Sequence, residues 1–305
     1  MSEKIFIDGE AGTTGLQIRD KLAGVSGLKL LSLPQEARKD AHAKRKTYAQ
    51  AGVVILCLPD EAAKEAVRLI DAMGADSPRL IDASSAHRVA PGWVYGFPEL
   101  APGQAEAIAS ASRVSNPGCH ATGAIALLRP LVDAGLLPKD AAVSITSVSG
   151  YSGGGKSMIQ AYESGKAPAF ELYGLKLAHK HLPEIELYSG LAARPLFLPS
   201  VGNFRQGMLV SLPLHLDALP AKPKGADLRA VFAKHYRGET HFRIVESGEV
   251  ARLEPESLNG TNDLEIHVFT NEARRQAVLV AKFDNLGKGA SGAAVQNMRL
   301  MLGLD

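Results

Sequence analysis

Apolar and polar positions along the first part of the chain alternate between two periods. Short, largely apolar runs at residues 4–8, 28–33, 53–58 and 79–83 have the length of strands. Between them, residues 16–23 and 61–73 carry apolar positions at helical spacing, the second with acidic residues in its first turn. Strands separated by helices need right-handed crossovers, which build a parallel, doubly wound sheet. After residue 119 the texture changes. Runs at 141–148, 195–201, 208–216, 241–245, 264–270 and 276–283 read as strands, and Asn271-Glu272-Ala273-Arg274-Arg275 reads as a hairpin connection between the last two. Helices are fewer there, with 227–236 the clearest. The pattern predicts an α+β domain on a mostly antiparallel or mixed sheet, followed by a helical tail over residues 285–304. The fold class is therefore α/β with a second, α+β domain.

Composition changes this picture little. The 305 residues, 46% hydrophobic and 22% charged, suit two well-cored domains. A net charge of +2 offers no basic field for nucleic acid. No apolar run approaches the ~20 residues that span a bilayer, and no charged-then-apolar leader opens the chain. The expected location is the cytoplasm, with no membrane partner. Two cysteines, Cys57 and Cys119, make neither a disulfide framework nor a thiolate zinc site. Cys57 lies within the strand-like Val53-Val54-Ile55-Leu56-Cys57-Leu58 and reads as a buried, inert thiol.

Cys119 is different. Ser115-Asn116-Pro117-Gly118 is a polar turn that runs into Cys119-His120-Ala121-Thr122-Gly123 and then an apolar helical run. A thiol in the first helical turn meets open backbone N–H groups and the positive end of the dipole, and both favour thiolate. A small buried residue starting a helix is the plain alternative. A glycine cluster, Gly9-Glu10-Ala11-Gly12-Thr13-Thr14-Gly15, follows the first strand and opens the first helix, the context in which backbone amides cradle a pyrophosphate. This gives the first domain a Rossmann-like reading. The second strand ends at Ser32 without an acidic tip, and Arg38 and Lys39 follow, which favours NADP over NAD.

Three further stretches carry candidate chemistry. Residues 150–157, Gly-Tyr-Ser-Gly-Gly-Gly-Lys-Ser, match a phosphate loop, but they sit in the antiparallel half, with no later strand ending in a metal-holding aspartate. A nucleotide hydrolase is thus a remote alternative to a glycine-rich loop over substrate. His179 and His181 share a side if their segment is extended, which suits a metal, yet no third ligand is apparent. A general acid–base beside the cysteine fits better, and no metal is expected. Asp82-Ala83-Ser84-Ser85-Ala86-His87-Arg88 follows a parallel strand at the end where such sheets place ligands. Arg88 and Arg205 are candidate anion clamps, and Ser84, Ser85 and Asn116 are candidate substrate contacts beside them.

Taken together, these blocks resemble the N-acetyl-gamma-glutamyl-phosphate reductases of arginine biosynthesis, in their shorter branch. The resemblance also rests on Tyr95-Gly96-Phe97-Pro98-Glu99-Leu100, His179-Lys180-His181-Leu182-Pro183-Glu184-Ile185 and Asp284-Asn285-Leu286-Gly287-Lys288-Gly289-Ala290. His120 departs from it, standing where an aromatic Phe or Tyr is common. The resemblance implies that Gly12 to Gly15 hold NADP(H) and that Cys119 attacks an acyl phosphate to give a thioester, which hydride then reduces. It implies acid–base work for His181, or else His179, and a return of Asn285 and Lys288 to the nicotinamide side. It further implies an NADP-binding domain of residues 1–118 with 285–305, a catalytic and oligomerisation domain of residues 119–284, and a homo-oligomer, dimer or tetramer. The rival readings are an aspartate-semialdehyde-type or lysine-pathway acyl-phosphate reductase and, in another class, an NADP-binding sensor without turnover.

Overall fold

The computed structural model describes residues 2–246 and 250–304; Met1 and Asp305, the outer limits of the expected cofactor domain, lie outside them. In chain order the elements begin β1 (Glu3–Asp8), α1 (Thr13–Leu22), β2 (Leu28–Leu31), α2 (Ala41–Tyr48), β3 (Val53–Leu56) and α3 (Asp60–Asp71). There follow β4 (Arg79–Asp82), β5 (Val94–Tyr95), α4 (Gln104–Ser110), β6 (Arg113–Ser115), α5 (Cys119–Asp133), β7 (Ser144–Gly150), α6 (Gly155–Glu163) and β8 (Phe170–Leu172). The rest comprises α7 (Leu182–Ser189), β9 (Leu196–Gly202), β10 (Met208–His215), α8 (Gly225–His235), β11 (Phe242–Val245), β12 (Leu264–Asn271), β13 (Gln276–Phe283) and α9 (Gly292–Leu302). No helix among the described residues is long and apolar enough to cross a membrane.

The chain divides into two compact units. The first holds residues 1–98, 103–117 and 290–305, and the second holds 99–102 and 118–289. The second unit thus takes in Asn285 and Lys288, which the sequence-based boundary places with the first.

In the first unit six strands form one all-parallel sheet in the order β2-β1-β3-β4-β6-β5. Alternation along the strands sorts side chains onto two faces. Ile5, Ile7, Val53 and Ile55 pack with Ile18 of α1, Ile108 of α4 and Met298 of α9. Their neighbours Phe6, Val54 and Leu56 pack instead with Tyr48 of α2 and Ala63, Val67 and Ile70 of α3. Both faces are covered, so these strands read as continuous apolar runs. The strand order reverses between β1 and β3, and the glycine loop lies at the carboxyl end of that switch point.

The second unit is built on a seven-stranded mixed sheet, β11-β12-β13-β10-β7-β9-β8. The β12–β13 hairpin and the β13–β10 and β10–β7 pairs are antiparallel, whereas β7–β9 and β11–β12 are parallel. Helix α5 lies on β10 and β13. A Cβ at Gly123 would come within 2.5 Å of Val210 and 2.8 Å of Phe283, so glycine there sets the close approach of helix to sheet.

Candidate active site

Cys119 is the first residue of α5, and Gly118, in extended conformation, is its N-cap. The Gly118 N–H donates to Glu184 Oε2 at 3.1 Å, and Gly118 O accepts from the Thr122 N–H at 2.9 Å and the Thr122 hydroxyl at 3.1 Å. Glu184 is buried near the start of α7, so the polar turn before the cysteine is clamped from the helix that packs on α5. Gly289 presses from another side, where a Cβ would fall 2.8 Å from Cys119 Cβ.

The segment 179–181 is not extended. It turns into α7, with His181 as N-cap, and the His181 N–H donates to His179 Nδ1 at 3.2 Å. The two rings are 4.8 Å apart and nearly perpendicular. Both flank His120, at 5.7 Å for His179 and 5.5 Å for His181, with Phe197 at 5.4 Å closing the group. The fold thus gathers both predicted histidines around the residue that follows the predicted nucleophile. His120 Nδ1 meets Ser147 Oγ at 2.7 Å, and Nε2 meets the Tyr173 hydroxyl at 3.0 Å.

Other candidates in this unit build structure. Asn285 is buried, accepts from the Gly207 N–H at 2.8 Å and donates to Ser152 Oγ at 3.1 Å, so it pins the glycine-rich turn after β7. Lys288 is 1% exposed, and its ammonium bonds both Glu99 oxygens, at 2.7 and 2.8 Å. Arg205 lies at the surface and pairs with Glu163. Lys156 and Ser157 of the phosphate-loop match are exposed, after a strand that sits between antiparallel β10 and parallel β9.

In the first unit Gly9 has φ +91°, and a Cβ there would lie 2.3 Å from Cys57 O. A Cβ on Gly15 would lie 2.4 Å from Gly9 O. This corner admits backbone and no side chain, with the amide end of α1 opening onto it, and that cradle fits a dinucleotide pyrophosphate. Thr13 and Thr14 form the first turn of that helix. Beside it the buried Glu10 accepts from Ser32 Oγ at 2.6 Å, Arg38 at 2.6 Å and Arg19 at 2.7 Å. Two partly exposed guanidiniums are thus held at the tip of β2, while Lys39 is exposed. Arg19 and Glu10 were missed by reasoning from the sequence; their signal was the spacing of Arg19 within the first helix and the carboxylate inside the glycine block.

The 82–88 patch is a braced loop. Asp82 accepts from the Ser84 N–H and hydroxyl and faces His87 Nδ1 at 2.6 Å, and Ser85 donates to Asp60. Arg88 is buried and donates to Asn116 O, while the Asn116 side chain donates to Ala290 O and accepts from Asn297. Cys57 is half-buried, and desolvation, then Asp82 and Asp8, pushes its thiol up to about 12.

Residues 13–110 match the semialdehyde dehydrogenase NAD binding domain, and residues 119–285 match the semialdehyde dehydrogenase dimerisation domain. The N-acetyl-gamma-glutamyl-phosphate reductase 2 of Pseudomonas putida is 53% identical over 98% of this chain and 96% of its own. The N-acetyl-gamma-glutamyl-phosphate reductase of Chelativorans sp. is 54% identical over 99% of both chains. The chain belongs to the N-acetyl-gamma-glutamyl-phosphate reductase family. As a member of that family it is an oxidoreductase of amino-acid biosynthesis, with a dinucleotide-binding unit before its dimerisation domain. Among solved structures, aspartate semialdehyde dehydrogenase II from Vibrio cholerae aligns over 99% of both chains with a TM-score of 0.75 at 15% identity. The Candida albicans aspartate semialdehyde dehydrogenase with NADP aligns over 99% of both with a TM-score of 0.69 at 12% identity. These two share the fold of this chain.

Proposed function

We propose that this chain reduces N-acetyl-gamma-glutamyl phosphate to N-acetylglutamate semialdehyde with NADPH, releasing phosphate, as a cytoplasmic step of arginine biosynthesis. The observation that carries the reading is the placement of Cys119 as the first residue of α5, after a Gly118 that Glu184 clamps and beside the His120–His179–His181 group. Relatives more than half identical over nearly their whole length bear that reductase's name.

The helix start favours the Cys119 thiolate, which attacks the acyl carbon; phosphate leaves with the electrons of the C–O bond, and a thioester remains. Bound NADPH supplies the hydride that a thioester accepts and a free carboxylate does not. His181, with His179 as its alternate, gives a proton to the carbonyl oxygen of the reduced adduct. It takes that proton back as the C–S bond breaks and the thiolate departs. Gly9, Gly12, Thr13, Thr14 and Gly15 would hold the pyrophosphate, and Arg38 and Arg19, with Ser32 beside them, would bind the 2′-phosphate. Edge strand β8 exposes Phe170 and Leu172, and Leu175 and Leu177 follow it, which supports a second copy of the chain on this unit and a dimer or tetramer.

The test is NADP reduction with N-acetylglutamate semialdehyde and phosphate, run beside aspartate semialdehyde. Preference for the first supports the reading, and preference for the second replaces the substrate while keeping the chemistry. Cys119→Ser is expected to lose turnover while still binding NADPH. Retained turnover refutes the thioester route.

A further inference from the structure

The tip of β2 carries a charge that its own sequence lacks. Strand β2 ends at Leu31, and neither Ser32 nor Leu33 after it is acidic. A carboxylate stands there all the same, brought from the glycine loop: Glu10 Oε1 accepts from Ser32 Oγ at 2.6 Å. At this place in a doubly wound sheet a carboxylate takes the ribose hydroxyls of NAD, and its charge opposes the 2′-phosphate of NADP. Taken alone, Glu10 therefore selects against the dinucleotide that the neighbouring arginines suit.

Its contacts reverse that rule. Glu10 is 6% exposed, and both oxygens are engaged: Oε1 with Ser32 and Arg38, each at 2.6 Å, and Oε2 with Arg19 at 2.7 Å. Three of the roughly four acceptor positions of a carboxylate are thus taken, which leaves little for a ribose hydroxyl. The two guanidiniums are placed differently, with their side chains 49% exposed for Arg19 and 37% for Arg38. Arg38 gives Nε to Leu33 O at 3.2 Å and Nη2 to Glu10, and Arg19 meets Glu10 through Nη1. A guanidinium has about five N–H donors, so both keep several that face outward. Two cations held on one buried anion leave one positive charge in excess at the strand tip. An arginine that swings freely must be ordered by the ligand it binds, whereas these two are ordered beforehand. The parts come from three segments: Glu10 from the loop between β1 and α1, Arg19 from α1, and Ser32 with Arg38 from the connection after β2.

We propose that Glu10 is a positioning residue that makes this chain selective for a 2′-phosphorylated dinucleotide, by holding Arg19 and Arg38 as a pre-set pair of forks at the tip of β2. The inference rests on the reading that these two arginines bind the 2′-phosphate. Glu10 itself does not touch that phosphate. Charge counting alone says the opposite, because removing a carboxylate beside the site should tighten the hold on an anion. The two accounts therefore differ in sign.

Calorimetric titration of the full-length chain with NADP⁺ and with NAD⁺ reads the effect without substrate or turnover, since the two ligands differ only in the 2′-phosphate. The ratio of their dissociation constants is the selectivity. Glu10→Gln, equal in size and uncharged, is expected to cut that ratio about tenfold, the scale of one charge-assisted hydrogen bond, while NAD⁺ binding stays within about threefold. In a chain that already carries Arg19→Ala and Arg38→Ala, adding Glu10→Gln leaves the ratio within about threefold, because the carboxylate acts only through the guanidiniums. Three results overturn the proposal. They are a Glu10→Gln ratio that holds or rises, an equal loss for both ligands, as a merely structural part in the glycine loop would give, and a further fall on top of the arginine double variant. If Glu10→Gln does not fold, Glu10→Asp decides the same question. Its carboxylate is one methylene too short to hold both forks, so the ratio falls by about threefold or more, and an unmoved ratio overturns the proposal. If the arginine double variant keeps the parent's ratio, the 2′-phosphate reading fails and the proposal with it. If that variant loses the ratio while Glu10→Gln keeps it, the positioning role alone fails.

Discussion

Gly289→Ala probes how tightly the reacting sulfur is placed. The added methyl would sit 2.8 Å from Cys119 Cβ, 3.2 Å from Asp284 O and 3.3 Å from Cys119 Cα, wedged against the start of α5. Carbon pairs settle at about 3.5–4.0 Å, so the cysteine or its neighbour must give way by roughly 0.7–1.2 Å. The backbone of Gly289 is not left-handed, so alanine adds a clash and no dihedral strain. A displacement of about 1 Å at a reacting centre costs about 10²-fold in rate. The expected result is kcat down by about 10²-fold with KM for NADPH little changed, measured by absorbance at saturating and limiting cofactor. A variant within about threefold of the parent in kcat would show that the methyl is absorbed elsewhere, and the packing argument would fail.

Other expectations follow from the same geometry. His181→Asn should lower kcat by about 10²–10⁴-fold, and a larger loss in His179→Asn, measured side by side, would reverse the two roles. Arg38→Ala should raise KM for NADPH about tenfold or more and leave KM for NADH nearly unchanged; equal changes for both cofactors would remove Arg38 from the 2′-phosphate. Lys288→Met strands the Glu99 carboxylate in the interior, at a cost of about 3–5 kcal/mol visible as a lowered thermal midpoint. Adding Glu99→Leu should restore most of that loss, and a Lys288→Met protein as stable as its parent would refute the pair's importance.

Strands and long helices were legible because their period is local. Residues 276–283 match β13 end to end, and 53–58 and 79–83 miss β3 and β4 only at their ends. Helix α2 escaped because its sequence, Ala-His-Ala-Lys-Arg-Lys-Thr-Tyr, has almost no apolar stripe, and only Thr47 and Tyr48 are buried. Strands β6 and β8 are three residues each, too short to show a period. The expected helical tail begins as a π-helix over Gly287–Ser291 and becomes α-helical from Gly292. Around Cys119 the helix start could be read from Gly118 and the apolar run behind it. The clamp by Glu184 could not, because it joins residues far apart in sequence. Lysines and arginines mislead for the same reason, since a guanidinium reads alike whether it faces solvent, as Arg205 does, or backbone carbonyls, as Arg88 does.

The seat of α5 has a consequence for synthesis on the ribosome. The helix is apolar almost all round, and it rests on β10 and on β13, which lies between β10 and β12. A nascent chain therefore lacks one of the two strands under the helix until residue 283 has left the exit tunnel. Chains stopped before that point leave the part of the helix that β13 covers as a sticky apolar surface, the kind that holdase chaperones and proteases recognise. The thiol consequently gains all of its surroundings only once Gly289, which lies against Cys119, has been made.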